Sequence, residues 1–490
     1  STMSNKKRDS KKLESKIRSL FRSSGTAVLN YKQIASKLDV RDTKGRNDII
    51  RILNQLHSKK ILKAKQRGQY QFNKEAIPTK RARLTIIPSG KGVVSVDDFN
   101  EELVISKKAL NKALDGDLVE ISIHRKEKGI EAEVVSIVER STKEYVGVLE
   151  RQKEFGFVVC KSSKAYTDFF IEKEELKDFR DGEKVVIVFK EWKERKDTPH
   201  AKIVKSLGKP GEIETELHSI LHEYGLPYEF PSEVLEEAAS FEVKISPEEI
   251  KNRKDFRKTL TFTIDPKTAK DFDDALSFKK ISNNRYEVGI HIADVSHYVR
   301  PNTLLDQEAY ERATSVYLVD RVVPMLPEVL SNDLCSLRPQ EEKLTFSAVF
   351  TIDEKGKVYE EWYGRTVIYS DYRFAYEEVQ CMIEQEKPIV EAKHSLTGTE
   401  YTVPEHVFNA IQSLNSIAKN LREDRMKKGA ISFDRVEVSF SLDEENKPEH
   451  VFFKSSKDAN KLIEEFMLLA NRKVAALIGN KKNKQAFVYR

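Results

Sequence analysis

Four aspartates lie within a ten-residue stretch that directly follows a strand-like run; they are Asp265, Asp271, Asp273 and Asp274. Residues 261–264 are Thr-Phe-Thr-Ile, a composition that favours a β-strand, and Pro266 then forces a turn. A short loop can therefore bring Asp265 against the other three carboxylates. This feature constrains the fold most, because neighbouring carboxylates repel one another unless a cation neutralises them or some retain a proton.

Mg²⁺ is the cation that this oxygen-rich pattern favours, with Mn²⁺ as an alternative. Mg²⁺ prefers oxygen ligands, retains water and also contacts substrate phosphates. One or two such ions can activate a water molecule and stabilise the leaving oxygen when a phosphodiester is hydrolysed. A calcium loop of the EF-hand type requires a glycine that is absent here, since Ala275 and Leu276 begin another strand. A solvated acidic loop remains the alternative to a metal site.

Length, charge and cysteine content narrow the class of protein. A chain of 490 residues suggests three or four domains, and 39% hydrophobic residues suffice for packed cores. We find no run like the ~18 uncharged apolar residues of a membrane span, and no apolar signal segment. Three widely separated cysteines exclude a disulfide scaffold and a CxxC zinc site. A cytoplasmic protein that does not bind membranes is expected, and its net charge of +6 is compatible with nucleic acid.

The N-terminal part predicts a basic tail and a winged-helix-like α module. Residues 1–23 are rich in lysine and arginine, and we interpret them as a solvated end or a weak phosphate-contacting arm. Residues 24–75 contain two short helical stripes, around Ile34 and Ile49, followed by a cationic hairpin around Gly68. This arrangement suits phosphate contact. A small protein-docking module is the alternative.

Residues 80–140 and 141–208 each contain several short strand-like runs, which predict two small β-barrels of the OB or cold-shock type. The second contains paired aromatic runs that resemble the nucleic-acid motifs of cold-shock domains. Alternating aromatics beside glycine place flat rings on one face of adjacent strands, where unpaired bases can stack. We therefore predict Phe155, Phe157 and Phe169 as RNA-binding residues.

The rest of the chain divides into a connector and a large mixed segment. Residues 209–251 are acidic and helical in pattern, with breaks at Pro227 and Pro231, and we interpret them as a connector. Residues 252–490 alternate between strand-like and helical patterns, which predicts a mixed α/β catalytic domain that contains the four aspartates.

The motifs of this last segment resemble those of the ribonuclease II/ribonuclease R family. They are Ile264-Asp265, Asp271-Phe-Asp-Asp-Ala275, His291-Ile-Ala-Asp-Val-Ser-His-Tyr-Val299, Thr314-Ser-Val-Tyr317, Val323-Pro-Met-Leu-Pro327 and Leu330-Ser-Asn-Asp-Leu-Cys-Ser-Leu337. With the helical module and two barrels in front, the resemblance is strongest to the ribonuclease R branch and covers nearly the whole chain. It implies a processive, hydrolytic 3′→5′ exoribonuclease that acts on single-stranded or structured RNA and releases nucleoside 5′-monophosphates with Mg²⁺.

The resemblance also implies roles for individual residues. The four aspartates match the family's acidic quartet, with Asp265 and Asp274 as the favoured metal ligands. Asp273 matches the residue whose loss stops cleavage while RNA stays bound. Tyr376 resembles a tyrosine near the scissile phosphate, and is expected to be catalytic with Asp273.

Three further residues are expected near the 3′ end of the RNA. Tyr317 resembles the ring that stacks on the terminal base, and Phe433 resembles its partner. Glu464, with Glu465 as the alternative, resembles a glutamate near that end.

His291 and His297 are not assigned to catalysis. His291 lies in an alternating strand on the face that favours a hydrogen-bonded structural imidazole.

The end of the chain departs from the family pattern. Residues 486–489 read as a strand just before Arg490, whereas the family's catalytic domain continues into an arginine-rich phosphate-binding motif and an S1-type barrel. We therefore expect this catalytic domain to be C-terminally incomplete.

Other function classes remain open. One is a non-catalytic RNA-binding or regulatory protein, or an inactive fragment that retains RNA binding; a DNA-binding regulator rests on the N-terminal module alone. Mg²⁺-dependent release of mononucleotides from a 3′-labelled oligonucleotide separates these classes from the exoribonuclease. We expect a monomer, and the sequence gives no indication of ribosome association.

Overall fold

The computed structural model describes residues 2–479 except 25–26, 74–78, 98, 100, 127–128, 163, 194–195, 433–435 and 446. The strand predicted over 486–489 lies outside the described residues. The chain divides into two compact units, Ser1–Leu226 and Pro227–Arg490. Among the described helices, none combines the length and the apolar character needed to span a membrane.

A winged-helix-like module begins the first unit, as predicted. Its elements are α1 (Thr2–Ser23), β1 (Leu29–Asn30), α2 (Tyr31–Lys37), α3 (Thr43–Ser58), β2 (Leu62–Gln66) and β3 (Gln69–Phe72), with the strands in the order β1-β3-β2. Asn30 and Asp42 begin α2 and α3, because their side chains accept hydrogen bonds from backbone N–H groups of the first turn.

The basic tail differs from the prediction. Residues 2–23 form helix α1, and Ile17 and Phe21 are buried in the core of the module, with Leu13 and Leu20 partly buried beside them. These four residues recur with the helical period, so they form an apolar stripe among the basic residues. The end of this segment is therefore a core helix and not a solvated tail.

Two β-domains follow, and the prediction of two OB or cold-shock-like folds is confirmed. The strands of the first are β4 (Thr79–Arg83), β5 (Thr85–Ile86), β6 (Gly92–Val94), β7 (Leu103–Ile105), β8 (Leu118–Lys126) and β9 (Gly129–Glu139), in the order β4-β8-β9-β7-β6-β5. The strands of the second are β10 (Glu144–Arg151), β11 (Phe155–Val159), β12 (Phe169–Glu172), β13 (Lys184–Glu191) and β14 (His200–Gly208), which hydrogen-bond into a closed barrel. In the first domain, the two edge strands are separated in the chain only by Leu84, so the backbone itself joins the sheet edges.

The connector begins as a helix that packs on the closed barrel. Helix α4 (Ile213–Glu223) buries Leu217 and Leu221. Its Glu216 lies 2.6 Å from Lys184 of the barrel, and its His222 lies 2.6 Å from Glu144.

The second unit is built on a seven-stranded mixed sheet. Its strands are β15 (Lys254–Asp255), β16 (Thr261–Asp265), β17 (Asp274–Ser282), β18 (Arg285–Ala293), β21 (Glu342–Ile352), β22 (Val358–Tyr369) and β23 (Tyr372–Ala375), in the order β15-β22-β21-β18-β17-β16-β23. The smaller strand pairs are β19 (Val316–Tyr317) with β20 (Val322–Val323), β24 (Ile389–Val390) with β25 (Tyr401–Thr402), and β26 (Glu437–Leu442) with β27 (Pro448–Lys454). The helices are α5 (Ser232–Ala239), α6 (Pro247–Lys251), α7 (Val295–Tyr298), α8 (Leu304–Arg312), α9 (Tyr376–Gln385), α10 (Glu405–Lys427), α11 (Asp458–Gly479) and a π-helical turn at Val329–Leu334.

Two hydrophobic cores cover the two faces of this sheet. On one face, Leu276, Ile290 and Phe350 pack with residues of α9, α10 and α11. On the other, Ala275 and Val349 pack with residues of α5, α8 and the π-helical turn. Successive strand residues alternate between the faces, so both cores fix the positions of the strand ends where the aspartates lie.

Candidate active site

The ends of two neighbouring strands carry the first and the last of the four aspartates. Asp265 is the final residue of β16, and Asp274 is the first residue of β17. Strand β16 pairs antiparallel with β17 and parallel with β23, where Asp265 faces Ala375. The loop between them carries Asp271 and Asp273, so the strand-turn-loop arrangement predicted from the sequence brings the four residues to one end of the sheet.

Distant residues hold the loop that carries the aspartates. Ser336 Oγ accepts a hydrogen bond from the Phe272 N–H at 3.0 Å and donates one to the Lys270 carbonyl at 2.9 Å. The Ala293 N–H donates to the Asp273 carbonyl at 3.0 Å. These bonds fix the backbone of the loop without using the aspartate side chains.

Arg373 holds the turn after Asp265. Its Nη2 donates to the Pro266 carbonyl at 2.6 Å and to the Lys267 carbonyl at 3.3 Å. Its guanidinium lies 5.1 Å from the centre of the Phe272 ring. The positive charge opposes the rise in the pKa of Asp265 that burial causes.

Burial and mutual repulsion raise the pKa values of three of the four carboxyls. Burial, together with the charges of Asp274 and Asp273, raises the pKa of Asp265 to about 7. Burial and the charges of Asp271 and Asp274 raise the pKa of Asp273 to about 6, and burial raises that of Asp274 to about 6. At neutral pH the cluster therefore holds negative charges that a bound cation would stabilise.

The donor set of this cluster fits a hard divalent cation. Asp265 Oδ2 is buried and has no hydrogen-bond partner among the described residues, and such an atom is costly unless something binds it. All the donors are carboxylate oxygens, which suit Mg²⁺ or Mn²⁺. Among the described residues, no three of these aspartates bring ligand atoms within 4.8 Å of one another. The spacing suits an ion held by a few carboxylates together with water and substrate phosphate.

A tighter group of possible ligands lies in the closed barrel, but lysines already neutralise it. Ligand atoms of Glu172, Glu191 and His200 lie within 4.8 Å of one another. Glu172 lies 2.7 Å from Lys190 and 3.3 Å from Lys193. Hydrogen bonding to Lys190 is the main cause that lowers the pKa of Glu172 to about 2. This group is a compensated ion-pair network.

Two tyrosines border the aspartates. Tyr317 on β19 is 66% exposed, and its hydroxyl lies 3.4 Å from Asp271 Oδ2. Tyr376 begins α9, and burial together with the charges of Asp274 and Asp265 raises its pKa to about 12. The structure thus brings both predicted tyrosines to the cluster, with the Tyr376 hydroxyl protonated at neutral pH.

The two glutamates of α11 have different surroundings. Glu465 is buried and its carboxylate lies 2.6 Å from the Arg425 guanidinium. Glu464 is half-exposed and lies 3.8 Å from the same guanidinium. Glu464 is therefore the one whose carboxylate is accessible. Phe433, predicted as the partner of Tyr317, lies outside the described residues.

His291 is a structural residue, as expected. It is fully buried, and its ring nitrogens lie 2.6 Å from Ser347 Oγ and 2.8 Å from Ser277 Oγ. Burial lowers the pKa of His291 to about 3, so the imidazole is neutral. His297 lies 3.7 Å from Glu249.

The aromatic surface of the closed barrel corrects one predicted residue. Phe155 and Phe157 are exposed or partly exposed, and their ring centroids lie 5.7 and 5.5 Å from that of Phe170. Phe169, predicted to bind RNA, is fully buried, and its ring packs against Tyr145 inside the barrel. Strand β12 pairs Phe157 with Phe170, so alternation turns Phe169 inwards. The aromatic surface on the outer face of the barrel therefore consists of Phe155, Phe157 and Phe170.

Sequence reasoning missed Arg373, Ser336 and Phe170. Ser336 lies within the motif that ends at Leu337, so that motif marks its segment without indicating its contacts. Strand alternation places Phe170 and Phe169 on opposite faces, but only the strand register shows that Phe170 is the one on the outer face. Arg373 has no comparable signal in the sequence.

Known protein families match most of the chain. The RNB domain matches residues 253–490, the Ribonuclease B OB domain matches 82–137, and the Cold shock domain matches 157–231. Ribonuclease R of Thermotoga maritima is 34% identical over 450 residues, which are 91% of this chain and 61% of that protein.

Two solved structures share the fold. Mycoplasma genitalium RNase R in complex with ribose methylated single-stranded RNA is 26% identical, with a TM-score of 0.73 over 82% of this chain and 62% of that one. Yeast Ssd1, a pseudonuclease, is 17% identical, with a TM-score of 0.60 over 89% of this chain and 57% of that one, which shows the fold alone. The chain thus spans about three fifths of the length of these relatives. The order of the three matched domains and the similarity to ribonuclease R place the chain in the ribonuclease II/ribonuclease R family.

Proposed function

We propose that this protein is a processive, hydrolytic 3′→5′ exoribonuclease that depends on Mg²⁺ and releases nucleoside 5′-monophosphates from single-stranded or structured RNA. The observation that carries the proposal is the acidic cluster at the end of β16 and β17. It combines three raised carboxyl pKa values with a buried oxygen that lacks a partner. Family membership supports the reaction class, whereas the fold it shares with a pseudonuclease does not by itself imply cleavage.

The four aspartates would have two roles, metal binding and orientation of the attacking water. Asp265 and Asp274 lie at the strand ends, where Asp265 is buried and Asp274 partly buried, and would hold the ion with the partly buried Asp271. Asp273 is the most solvent-accessible of the four, so its carboxylate can accept a hydrogen bond from the attacking water and orient it towards phosphorus. A bound Mg²⁺ supplies positive charge that activates water and stabilises the leaving oxygen. Mn²⁺ can replace it in such an oxygen-ligand site.

The neighbouring side chains would hold the 3′ end of the RNA. Tyr317 presents an exposed ring on which the terminal base can stack. Tyr376 keeps its proton at neutral pH, so its hydroxyl can donate a hydrogen bond to the scissile phosphate. Glu464 offers an accessible carboxylate to the ribose hydroxyls of the terminal nucleotide. Phe433 stays in the proposal as the partner ring of Tyr317.

The closed barrel would supply affinity for single-stranded RNA. Phe155, Phe157 and Phe170 form one aromatic surface, and stacking on such rings tolerates any base. The RNA bound in the M. genitalium RNase R structure supports RNA as the partner. We also propose that the enzyme is monomeric and cytoplasmic.

The test is a cleavage assay on a 3′-labelled single-stranded RNA after treatment with a chelator. The proposal expects mononucleotide release only after Mg²⁺ is added, and expects Asp273→Asn to abolish release while RNA remains bound. RNA binding without release at any Mg²⁺ concentration would instead favour the non-catalytic RNA-binding protein. Full release in excess chelator would exclude the metal-dependent mechanism.

A further inference from the structure

A row of four side chains leads from the acidic cluster across one face of the seven-stranded sheet. The strand register pairs Asp274 with Ile292, Ile292 with Phe346, and Phe346 with Arg365. Residues directly opposite each other in antiparallel strands project from the same face. Adjacent strands are about 4.8 Å apart, so Phe346 lies roughly 10 Å from the strand of Asp274, and Arg365 one strand further.

The row marks the place where the hydrophobic core stops covering this face. Two positions along the same strands, and on the same face, lie Leu276, Ile290 and Ala348. These three side chains are buried in the core that α9, α10 and α11 complete. In the row itself, Ile292 is 37% exposed and Phe346 is 48% exposed. Two exposed apolar side chains therefore lie next to each other in the strip that begins at the acidic cluster.

Arg365 gives the far end of the strip a positive charge. Its side chain is 40% exposed, and its Nε lies 3.9 Å from Asp294 Oδ2, a long contact that leaves guanidinium donors available. The strip thus runs from carboxylates, across an aliphatic and an aromatic side chain, to a guanidinium.

We propose that this strip is a nucleotide subsite, in which the base of a nucleotide close to the scissile bond stacks on Phe346 and Arg365 contacts a phosphate further along the strand. The inference rests on the proposed function, because it takes the acidic cluster as the place of cleavage. Alternating apolar and cationic groups match the alternating bases and phosphates of a single strand. A docked protein segment would use the apolar centre but would not require a cation in register with it.

A binding experiment with abasic RNA tests the subsite. Affinities of the full chain and of Phe346→Ala are measured by fluorescence anisotropy in chelator, with a 5′-labelled oligoadenylate. The same RNA is also used with one abasic site at each of the last four positions in turn. We expect Phe346→Ala to weaken binding of intact RNA about ten-fold, as for loss of one base stack. This loss should disappear for the single oligonucleotide whose abasic site faces Phe346.

Matched variants separate stacking from other effects. Phe346→Tyr retains an aromatic face and should bind as the unsubstituted chain does, whereas Phe346→Leu keeps an apolar side chain and should behave as the alanine variant. Arg365→Gln should weaken binding of every oligonucleotide equally, and should make the slope of log K against log[salt] less steep by about 0.7, the value for one lost phosphate contact. Tyr310→Ala removes an exposed ring of α8 and should change nothing.

Two results would overturn the subsite. One is an equal loss for intact and all abasic RNAs, or no loss at all. The other is a change in the mass of the protein in solution upon substitution of Phe346, which would assign the strip to protein association. Mononucleotide release by the unsubstituted chain is measured separately. Base-dependent loss without release keeps the subsite and refutes the proposed chemistry, and release without base-dependent loss does the reverse.

Discussion

Replacing Asp265 with asparagine should make the protein more stable at pH 8 in the presence of a chelator. Burial and neighbouring charges raise the pKa of Asp265 from 3.8 to about 7. The shift is about 3 pH units, and each unit corresponds to about 1.4 kcal/mol, so the upper limit of the gain in the free energy of unfolding is about 4 kcal/mol. Asparagine carries no charge, and because Oδ2 has no hydrogen-bond partner among the described residues, no bond to that atom is lost.

The gain must depend on pH in one direction. Well below pH 3.8 the carboxyl of Asp265 is protonated in both the folded and the unfolded chain, so the variant gains nothing. Between about pH 4 and about pH 7 the unfolded chain releases this proton and the folded chain retains it, so the stability of the unsubstituted protein falls as the pH rises. Above about pH 7 both states are ionised, and the advantage of the variant reaches its full value.

Calorimetric unfolding at pH 5 and pH 8 measures this difference. A gain of a few kcal/mol should raise the Tm of the second unit by roughly 5–10 °C at pH 8, and by much less at pH 5. Added Mg²⁺ should raise the Tm of the unsubstituted protein, since it binds the folded state, and should raise that of the variant less. Glu311→Gln on α8 is the control for loss of one surface charge. A variant no more stable than the unsubstituted protein at pH 8 would refute the electrostatic account of the cluster.

Four further substitutions test other parts of the account. Asp273→Asn should reduce mononucleotide release by about three orders of magnitude or more and leave RNA affinity nearly unchanged, as filter binding would show; equal loss of both would identify a folding residue. Phe170→Ala should weaken single-stranded RNA binding about ten-fold without lowering the Tm, whereas Phe169→Ala should cost about 3–5 kcal/mol of stability, and reversed results would contradict the assigned faces. His291→Leu removes the partner of the Ser277 hydroxyl and one of the two partners of the Ser347 hydroxyl, which keeps Thr366. It should cost about 2 kcal/mol, measured by urea unfolding at pH 7. Release per folded molecule should stay unchanged, and a selective loss of release would show that His291 has a chemical role.

The sequence was sufficient to predict that the closed barrel contains β-strands. It was not sufficient to predict which side chains of strand β12 face the interior. Phe169, Phe170 and Ile171 are three consecutive apolar residues, so composition does not say which of them faces inwards. The register decides, because Phe170 pairs with Phe157 on the outer face. The prediction of Phe169 as a stacking residue was therefore wrong by one position, the smallest error that moves a side chain to the other face.

The basic N-terminal segment shows a second limit of composition. Its many lysines and arginines suggested a solvated tail, and they outnumber the apolar residues Leu13, Ile17, Leu20 and Phe21. Those four lie on one helical face, and two of them are fully buried. A search for the helical period would have found the stripe, since a narrow apolar face is enough to dock a helix.

The aspartates themselves could be predicted because their spacing and the proline turn are local features. The residues that hold the loop and the turn in place could not be predicted. Ser336 reaches the loop from 64 residues away and Arg373 reaches the turn from 107 residues away. Such contacts depend on the tertiary fold, and local propensity does not encode them.

The position of the cluster relative to the two cores explains how four mutually repelling carboxylates can be held together. Ile264, which precedes Asp265, packs in the core on one face of the sheet, and Ala275, which follows Asp274, packs in the core on the other. Hydrophobic burial on both faces therefore fixes the strand ends, and backbone hydrogen bonds from Ser336 and Ala293 fix the loop between them. Since none of these interactions uses the carboxylates, the oxygens remain available to a cation. The stability that the cluster loses to burial and repulsion is supplied by residues that have no part in the chemistry, and this division allows an electrostatically unfavourable acidic site to persist in a folded protein.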